Sequence, residues 1–332
     1  MNNMYSLIEM LRYKRPEGSL TQLDFCIRFI EPMFGVSDTH GNYIKIVNNE
    51  DGSSPKICFT AHHDTVHSTE GKQKVKVVKD MVYVHDVTKS SCLGADCTTG
   101  IWLILNMVAS KIPGVYVIHA GEELGCIGSQ ALVRDNPDWL DVVEGVISFD
   151  RYGTRSIITH QTGIRTASDT FAKCLSDVLN MPQLEADSGG SYTDSNEYSK
   201  RVSECTNISV GYYNQHTIRE SQDLVYADEL LGSLLAADWS KLTFHRDPSV
   251  VEMDNWYSSM YGSRFNDYGY FKADYGDYGD EDVKDLFELV CDYPEEVTEL
   301  LSQLGYSASE LSQDFGIQET KYLNNYIQRK VC

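Results

Sequence analysis

The sequence is poor in positive charge. Its 332 residues include 28 lysines and arginines against 49 aspartates and glutamates, which gives a net charge of −21 at pH 7. A nucleic-acid interface needs a basic face that displaces counterions, and an anionic membrane attracts basic clusters. The charge balance therefore argues against nucleic acid and membrane surfaces as partners.

Long apolar runs and paired cysteines are also lacking. No segment approaches the roughly 18 apolar residues that a membrane-spanning helix requires. The opening stretch MNNMYSLIEMLRYKRPEGS places its charges after its apolar residues, unlike a secretion signal. The nine cysteines are scattered without a CxxC pair, which is typical of free thiols in a reducing compartment. We expect a cytoplasmic protein.

Strand and helix patterns alternate over the first 245 residues. Strands are predicted at 43–48, 56–60, 114–120, 145–149, 156–161 and 206–213, with a hairpin at 75–85, and helices at 3–12, 21–33, 98–110, 127–135, 166–179 and 222–244. Buried strands that alternate with helices are typical of an α/β fold. We expect one domain at 1–245 built on a mixed, mostly parallel twisted sheet with helices on both faces.

The composition changes after about residue 246. Residues 254–282 are rich in Tyr, Gly and Asp and have no helical or strand period. A disordered acidic linker is therefore predicted at 246–281, and a sticky aromatic segment that recruits another protein is the alternative. Helical spacing returns at 282–332, where Pro294 marks a helix start and Gly305 its end. This small helical appendage is a candidate site for a protein partner.

The chain has only nine histidines, yet three of them stand in FTAHHDTVHS at the end of a predicted strand. Other potential metal ligands also close strands or open a helix, and the set is His62 with Asp64, Asp96, Glu122 with Glu123, Asp150, and His216. The carboxyl ends of strands in an α/β sheet share one edge, so these side chains are expected to converge. Two histidines with several carboxylates suit Zn²⁺, with Co²⁺ or Mn²⁺ as alternatives, and a shared carboxylate would make a two-metal hydrolytic site.

These motifs resemble those of the di-zinc exopeptidase clan, which includes the zinc aminopeptidases, tripeptidase T and the glutamate carboxypeptidases. The matching stretches are His62-x-Asp64-x-Val66, Gly94-Ala95-Asp96 with Gly100, Glu122-Glu123-x-Gly125 with Gly128-Ser129, Asp150, and Asn207-Ile208-Ser209 leading to His216-Thr217 and Glu220. Each is weak alone, but the five occur in the clan's order. The resemblance implies a phosphorylase/hydrolase-like zinc peptidase fold and a peptide or small amide substrate.

The resemblance also implies roles for the ligands. Five residues would hold two zinc ions in sets that share one carboxylate: His62 and Asp150 for one ion, Glu123 and His216 for the other, and Asp96 as the bridge. Asp64 would accept the N–H of His62 and fix its tautomer. Glu122 would take a proton from the water that the metals activate and pass it to the leaving amine.

The sequence departs from the clan's pattern at Cys97, where relatives usually carry a second aspartate after the bridging one. The thiol is either a silent replacement or a change in the carboxylate network. Asp150 and His216 are 66 positions apart, and two-domain relatives insert a lid in this interval, so no lid is expected. That spacing favours the single-domain aminopeptidase branch, whereas the motif sequences HHDTV and YYNQHTIRE favour the tripeptidase branch.

Substrate contacts have weaker signals. Asp194, in the polar stretch SGGSYTDSNEYS, and Arg219 are weak candidates, and Arg151 is another cation that could bind a substrate carboxylate. A surface loop and surface salt bridges are the alternatives.

The remaining histidines and cysteines are expected to be structural or exposed. His63 would point to the opposite face of the strand from His62, which favours a structural role. His67 and His85 are expected at the surface. The cysteines that flank the motifs are more typical of small buried thiols than of a thiolate cluster.

Three functions are compatible with the sequence. The first is a di-zinc aminopeptidase or small-peptide exopeptidase with Glu122 as general base. The second keeps the metals but acts on N-acyl amino acids as a deacylase or amidohydrolase. The third is a scaffold that keeps the fold without activity, suggested by Cys97 and the tail. A single histidine or an aspartate before a helix is usually structural, so the ordered set is what favours the first.

Overall fold

The computed structural model describes residues 3–252, with side chains from residue 6 onward. Most of the predicted linker at 246–281 and all of the predicted appendage at 282–332 lie outside the described residues. The domain boundaries thus stay predictions. Among residues 3–252, no helix is both long and apolar enough to cross a bilayer.

The described chain contains eight α-helices and fifteen strands. The helices are α1 Asn3–Met10, α2 Leu20–Phe25, α3 Glu31–Phe34, α4 Ala95–Ala109, α5 Ile127–Asp135, α6 Asp169–Leu179, α7 Asp194–Glu197 and α8 Leu224–Ala236. The strands are β1 Tyr13–Lys14, β2 Tyr43–Val47, β3 Ile57–His62, β4 Gly71–Lys72, β5 Val75–Val78, β6 Met81–Val84, β7 Gly114–His119, β8 Gly145–Arg151, β9 Ser156–Ile158, β10 His160–Gln161, β11 Ile164–Arg165, β12 Glu185–Asp187, β13 Glu204–Ser209, β14 Tyr212–Tyr213 and β15 Ser221–Asp223. A π-helix at Cys26–Ile30 joins α2 to α3, and 3₁₀ turns lie at Asp138–Val142 and Trp239–Lys241.

The main sheet has seven strands in the order β12-β9-β13-β8-β3-β7-β2. Its four central strands, β13, β8, β3 and β7, run parallel. β2 pairs with β7 in the antiparallel sense, and so does β9 with β13. The fold is therefore a mixed α/β fold with a parallel centre, as the sequence predicts.

Alternate residues of the central strands enter two clusters of buried apolar side chains. Phe59 belongs to a large cluster that also contains Leu103 of α4. Its neighbour Cys58 belongs to a smaller cluster that contains Leu132 of α5. Since successive side chains of a strand point to opposite faces, the strands have apolar residues on both sides. This explains why their sequences are continuously hydrophobic.

The predicted hairpin at 75–85 is confirmed. β5 and β6 pair in the antiparallel sense, and Lys79 and Asp80 between them both have positive φ, as a two-residue hairpin turn requires. Together with β14 and β15, they form a separate four-stranded antiparallel sheet.

Several predicted elements have different boundaries in the structure. The helix predicted at 222–244 begins at Leu224, because Asp223 accepts hydrogen bonds from the N–H groups of Val225 and Tyr226, and it ends at Ala236. The helix predicted at 166–179 begins at Asp169, where the Ser168 side chain caps it. The strands predicted at 156–161 and 206–213 are each broken in two, and the helix predicted at 21–33 is three helical segments. Helix capping and strand pairing in the folded protein thus decide these boundaries, which apolar spacing alone does not define.

A glycine lets α4 pack tightly against the sheet. A Cβ atom at Gly100 would lie 2.5 Å from Cys97 Sγ and even closer to the carbonyl oxygen of Phe149 in β8. At Gly232 in α8, by contrast, a Cβ atom would meet no other atom within 4 Å. These two helical glycines form a matched pair for substitution.

We expect Gly100→Ala to lower the free energy of unfolding by about 1–3 kcal/mol, because the methyl group must displace β8 or Cys97. Gly232→Ala should raise it by about 0.5–1 kcal/mol, because alanine restricts the unfolded chain and leaves the exposed helix face unchanged. Urea unfolding of both variants measures the two effects. A Gly100→Ala variant as stable as the parent would contradict this close packing.

Candidate functional site

The candidate ligands meet at the carboxyl ends of three adjacent parallel strands. His62 is the last residue of β3, and Asp150 is the residue before the last in β8. β7 ends at His119, directly opposite His62, and the following loop carries Glu122 and Glu123. Because β8, β3 and β7 are neighbours with the same direction, all three loops or ends open on one edge.

Asp96 lies between the two histidines. Its Oδ1 is 3.1 Å from His62 Nε2, and its Oδ2 is 3.1 Å from His216 Nε2. Each carboxylate oxygen therefore faces a different imidazole. A carboxylate that bridges two cations presents its oxygens in this way.

One further carboxylate stands beside each histidine. Asp150 Oδ1 is 3.4 Å from His62 Nε2, and Glu123 Oε1 is 3.1 Å from His216 Nε2. Both oxygens are buried, yet neither accepts a well-aligned hydrogen bond from the described residues. Buried carboxylate oxygens of this kind need a partner, and a cation held by imidazole and carboxylate satisfies them.

Within residues 3–252, three groups of side chains could each hold an ion by proximity alone. They are His62 with Cys97 and Asp150, His62 with Glu122 and Glu123, and Asp96 with Glu123 and His216. The third coincides with one of the two predicted ligand sets. The donor set of nitrogen and carboxylate oxygen atoms fits zinc.

The tautomer of His62 follows from its surroundings. Its Nδ1 is 3.2 Å from the carbonyl oxygen of Asp64 and 3.3 Å from Oδ1 of the same residue. Because both of these atoms are acceptors, the proton of neutral His62 belongs on Nδ1. The Nε2 lone pair then points toward Asp96 and Asp150, as a metal ligand requires.

The Asp64 carboxylate also holds the loop after β7. It accepts hydrogen bonds from the backbone N–H groups of Glu122, at 3.2 Å, and Glu123, at 3.0 Å. The residue is fully buried. Asp64 therefore fixes His62 and the two glutamates with a single side chain.

Excess negative charge dominates the electrostatics. Burial alone lowers the pKa of His62, but its carboxylate contacts, Asp150 foremost, raise that pKa well above the ordinary value. The contacts of His216 with the carboxylates of Asp96 and Glu123 raise its pKa to about 11. Burial, and next the charge of Asp96, raise the pKa of Asp150 well above its usual range. The carboxylates thus stabilise positive charge at this position, which favours cation binding.

Glu122 has the longest contact with an imidazole among the candidate carboxylates, with its Oε2 4.0 Å from His62 Nε2. Burial, with the charges of Asp150, Asp96 and Glu123, raises the pKa of Glu122 to about 9, although the charge of His62 opposes the shift. Bound cations would reverse this repulsion and lower that pKa toward the physiological range. A carboxylate beside the cleft with such a tunable pKa is suited to general acid–base chemistry.

Neither of the two weak substrate candidates, Asp194 and Arg219, lines the cleft. Asp194 is buried, and its Oδ1 accepts a hydrogen bond of 2.6 Å from Ser129 Oγ. Asp194 does not line the cleft, whereas the neighbouring Tyr192 does. The side chain of Arg219 is exposed and does not line the cleft.

Cys97 is buried directly after Asp96. Its thiol donates a hydrogen bond of 3.0 Å to the carbonyl oxygen of Phe149, and burial raises its pKa well above the ordinary value. A neutral thiol in this position ties the start of α4 to β8. Cys97 thus binds the backbone of β8 through a hydrogen bond, and it stands close to the carboxylate of Asp150.

The prediction that His67 lies at the surface is wrong. His67 is buried, and its Nε2 lies 3.1 Å from the carbonyl oxygen of Cys92 while its Nδ1 lies 2.8 Å from Thr65 Oγ1. Since the carbonyl can only accept, Nε2 carries the proton and Nδ1 accepts from the threonine. Burial lowers the pKa of His67 to about 3. The strand pattern ends before residue 67, so its side-chain direction was not readable from the sequence.

His63 fits the structural role predicted for it. Its ring contacts Gln22 Nε2, at 2.9 Å, and the carbonyl oxygen of Gly41, at 3.1 Å. His85 is exposed, as predicted.

Glu220 is a buried residue for which no role was predicted, although it stands in the last matching motif. Its carboxylate accepts hydrogen bonds from the four consecutive N–H groups of residues 93–96. Burial raises the pKa of Glu220 to about 7. The spacing of four residues after His216 was the available signal.

Arg15 is a second residue that sequence reasoning missed. It is fully buried, and its guanidinium donates to the carbonyl oxygen of His63, at 2.9 Å, and to Thr98 Oγ1, at 2.8 Å. Burial lowers its pKa to about 10. Arg15 therefore connects the strand end at His63 with the start of α4. A single arginine after a predicted helix gives no sequence signal for such a position.

The ligands open into a cleft of about 340 Å³. The chemical groups at its floor are Asp96, Glu122, Glu123, Asp150 and His216, and its walls include Arg151, Tyr152, Tyr192, Tyr212 and Gln215. The volume is within the range of small-ligand sites, which is about 300–1,000 Å³. A larger cavity of about 710 Å³ lies beside α6 and residues 236–241, but its lining includes no member of the three possible ligand groups.

Comparison with known proteins identifies the fold. Comparisons with models of protein families and with curated proteins gave no match. Among solved structures, a tripeptidase from Staphylococcus aureus has 14% identity and a TM-score of 0.58, and covers 70% of this chain and 96% of its own. The aminopeptidase PepT from Bacillus cereus has 14% identity, a TM-score of 0.56 and the same coverage.

A third solved structure also resembles this chain in its fold. The TET1 peptidase from Pyrococcus horikoshii has 14% identity and a TM-score of 0.52, and covers 71% of this chain and 99% of its own. At this level of identity the likeness concerns the fold alone. The chain has an aminopeptidase-like fold, which confirms the resemblance predicted from the motifs.

We expect the His67 contacts to make the protein sensitive to acid. The folded-state pKa of His67, about 3, lies below the ordinary value of 6.5, so the unfolded chain binds the proton more readily. The stability contribution is therefore fully present above pH 6.5 and is lost as the pH falls toward 3, by up to about 1.4 kcal/mol per pH unit. Urea unfolding between pH 7.5 and 5 should show a shallower pH dependence in His67→Gln than in the parent. His85→Gln, at the exposed histidine, is the control and should keep the parental slope. Equal slopes in all three proteins would contradict the burial of His67.

Proposed function

We propose that this chain, which has an aminopeptidase-like fold, is a metal-dependent peptidase that removes a residue from the free amino end of short peptides. The observation that carries the proposal is the position of Asp96. One of its oxygens faces His62 and the other faces His216, and each histidine has its own second carboxylate. This donor arrangement supports a two-metal hydrolytic site.

The chain's own residues would hold two metal ions, zinc in the first instance and Co²⁺ or Mn²⁺ as alternatives. The ligand sets are His62 with Asp150, Glu123 with His216, and Asp96 shared between them. When bound, the metals would lower the pKa of water and polarise the scissile carbonyl. The orphaned oxygens of Asp150 and Glu123 support this assignment.

Glu122 is the proposed general base and acid. Its carboxylate stands at the edge of the ligand cluster, where it can take a proton from the attacking water and return it to the leaving amine. Asp64 would keep the His62 proton on Nδ1 and hold the backbone of Glu122 in place. The same side chain thus orients a ligand and the base.

The cleft's charge favours a substrate with a free amine. Of the four carboxylates that line it, three are assigned to the metals, which leaves the Glu122 carboxylate to attract a substrate ammonium group. Tyr152 and Tyr192 line the wall and are both partly exposed, which suits an apolar or aromatic side chain. Direct contacts of Asp194 or Arg219 with substrate are not part of the proposal.

Further parts of the proposal concern the chain as a whole. We infer a catalytic domain at 1–245 without an inserted lid, with helices on both faces of its sheet, a layout that the two apolar clusters support. We place the protein in the cytoplasm, with a peptide or small amide as substrate and with neither nucleic acid nor membrane as a partner. The segment at 282–332 is a proposed attachment point for another protein.

We expect Glu122→Gln to lower kcat by about 10²- to 10⁴-fold, the usual contribution of a general acid–base residue. The amide cannot take the proton, but it has the same size and does not belong to the proposed ligands. Rates of tripeptide hydrolysis and metal content per chain, measured on the same preparation, test this. Glu185→Gln, an exposed glutamate paired with Arg155, is the control. Unchanged turnover in Glu122→Gln would refute the role of Glu122.

We expect free-amine peptides to be hydrolysed and their N-acetylated counterparts to be left intact. An N-acetyl group removes the positive charge that the Glu122 carboxylate would attract. Leucyl-glycyl-glycine, its N-acetyl form and N-acetyl-leucine are suitable substrates, followed by liquid chromatography. Faster hydrolysis of N-acetyl-leucine would replace the aminopeptidase assignment by that of a deacylase.

A further inference from the structure

The four N–H groups of residues 93–96 converge on a single side chain. Glu220 Oε2 accepts from Leu93 and Gly94, at 2.8 and 2.9 Å, and Oε1 accepts from Ala95 and Asp96, at 2.8 and 3.3 Å. Both oxygens are therefore fully used by backbone donors. The residue is completely buried.

This segment cannot satisfy its N–H groups in the ordinary helical way. Gly94 has a left-handed backbone with φ of +71°, and Asp96 and Cys97 have non-helical backbone angles although they stand at the start of α4. The first N–H groups of a helix have no intrahelical acceptor. The Glu220 carboxylate supplies acceptors in their place and so holds the backbone from which the Asp96 side chain projects.

Glu220 is also joined to His216 through one short turn. The two residues are four positions apart, and the N–H of Glu220 donates to the carbonyl oxygen of Thr217, at 3.0 Å. Ser221, the next residue, pairs with Tyr83 of β6, so the segment is held on its other side by a sheet. His216 itself is partly exposed and has a positive φ of 61°. His216 therefore lies in the loop between the paired strands β14 and β15, and Glu220 anchors the far end of that loop.

We propose that Glu220 is a positioning residue that couples the two ligand-bearing loops, and so sets the distance between Asp96 and His216. This inference rests on the proposed two-metal site and concerns its assembly. Without the Glu220 carboxylate, the 93–96 segment and the His216 loop would each lose their common anchor. The ion that would be held by Asp96, Glu123 and His216 is the one that depends on this distance.

A second buried glutamate allows a purely structural role to be separated from positioning. Glu204 is also fully buried, and its carboxylate accepts from the N–H groups of Ser168, His245 and Arg246 and from the Ser168 hydroxyl. Ser168 is the cap that precedes α6, and His245 and Arg246 follow α8, so these partners are not among the candidate ligands. Glu204 thus matches Glu220 in burial and in its backbone partners, but it does not contact a ligand-bearing loop.

The test compares Glu220→Gln with Glu204→Gln. In Glu220→Gln the side-chain NH₂ faces two of the four backbone N–H groups whichever way the amide is turned, so two hydrogen bonds are lost. We expect titration calorimetry of the metal-free proteins with Zn²⁺ to show two ions per chain in the parent. Glu220→Gln should bind one of them about 10- to 100-fold more weakly, the usual effect of losing a residue that orients a ligand. Glu204→Gln should bind both as the parent does, with thermal unfolding recorded for each protein.

The outcomes separate this inference from the proposed function. Parental affinities in Glu220→Gln, or equal losses in both variants, would overturn the positioning role and leave the metal site intact. A parent that binds no zinc would overturn the proposed function itself. If Glu220→Gln does not fold, Glu220→Asp serves instead, because it keeps the charge but withdraws the carboxylate by about one C–C bond, 1.5 Å. Zinc affinities in Glu220→Asp equal to those of the parent would then refute the proposal.

Discussion

The whole site depends on how a buried group of carboxylates is kept together. Asp64, Asp96, Glu122, Glu123 and Asp150 all stand at the edge formed by β3, β7 and β8. Like charges at this distance repel strongly in a medium less polar than water. Among the described residues, the nearby cationic groups are the imidazoles of His62 and His216 with the guanidinium groups of Arg15 and Arg151, and they balance the five carboxylates only in part. Additional positive charge would therefore stabilise the cluster.

Backbone amides carry part of the compensation. The carboxylate of Asp64 accepts the N–H groups of Glu122 and Glu123, and Glu220 accepts those of residues 93–96. In both cases a buried carboxylate takes the donors of a loop that carries a ligand. Backbone N–H groups carry partial positive charges and do not titrate. They therefore stabilise a buried carboxylate at any pH and do not occupy the carboxylates proposed as metal ligands. Both loops are thereby held by hydrogen bonds within the protein itself.

Much of this arrangement was readable from the sequence, and the reasons are physical. The positions of His62 and Asp150 at strand ends follow from the continuous apolar runs that precede them, because the length and period of such runs identify buried strands. The convergence of distant motifs follows from the parallel order of neighbouring strands. His67, Arg15 and Glu220 were not readable, because their roles depend on which backbone groups the tertiary fold leaves unpaired. The same limit explains the boundaries of α6 and α8, where a capping side chain, rather than apolar spacing, decides the first residue.

The double contact of Asp64 has a consequence for motion. The proposed base, Glu122, and the proposed ligand, Glu123, are adjacent in a loop whose two N–H groups end on one rigid carboxylate, and this carboxylate is two residues from the ligand His62. Thermal displacement of the strand end is therefore transmitted to all of these groups in the same direction. Their mutual distances vary less than the position of any one of them. The relative positions of the proposed base and the proposed ligands therefore depend little on the motion of the surrounding loops. The loops themselves need not be rigid for this to hold.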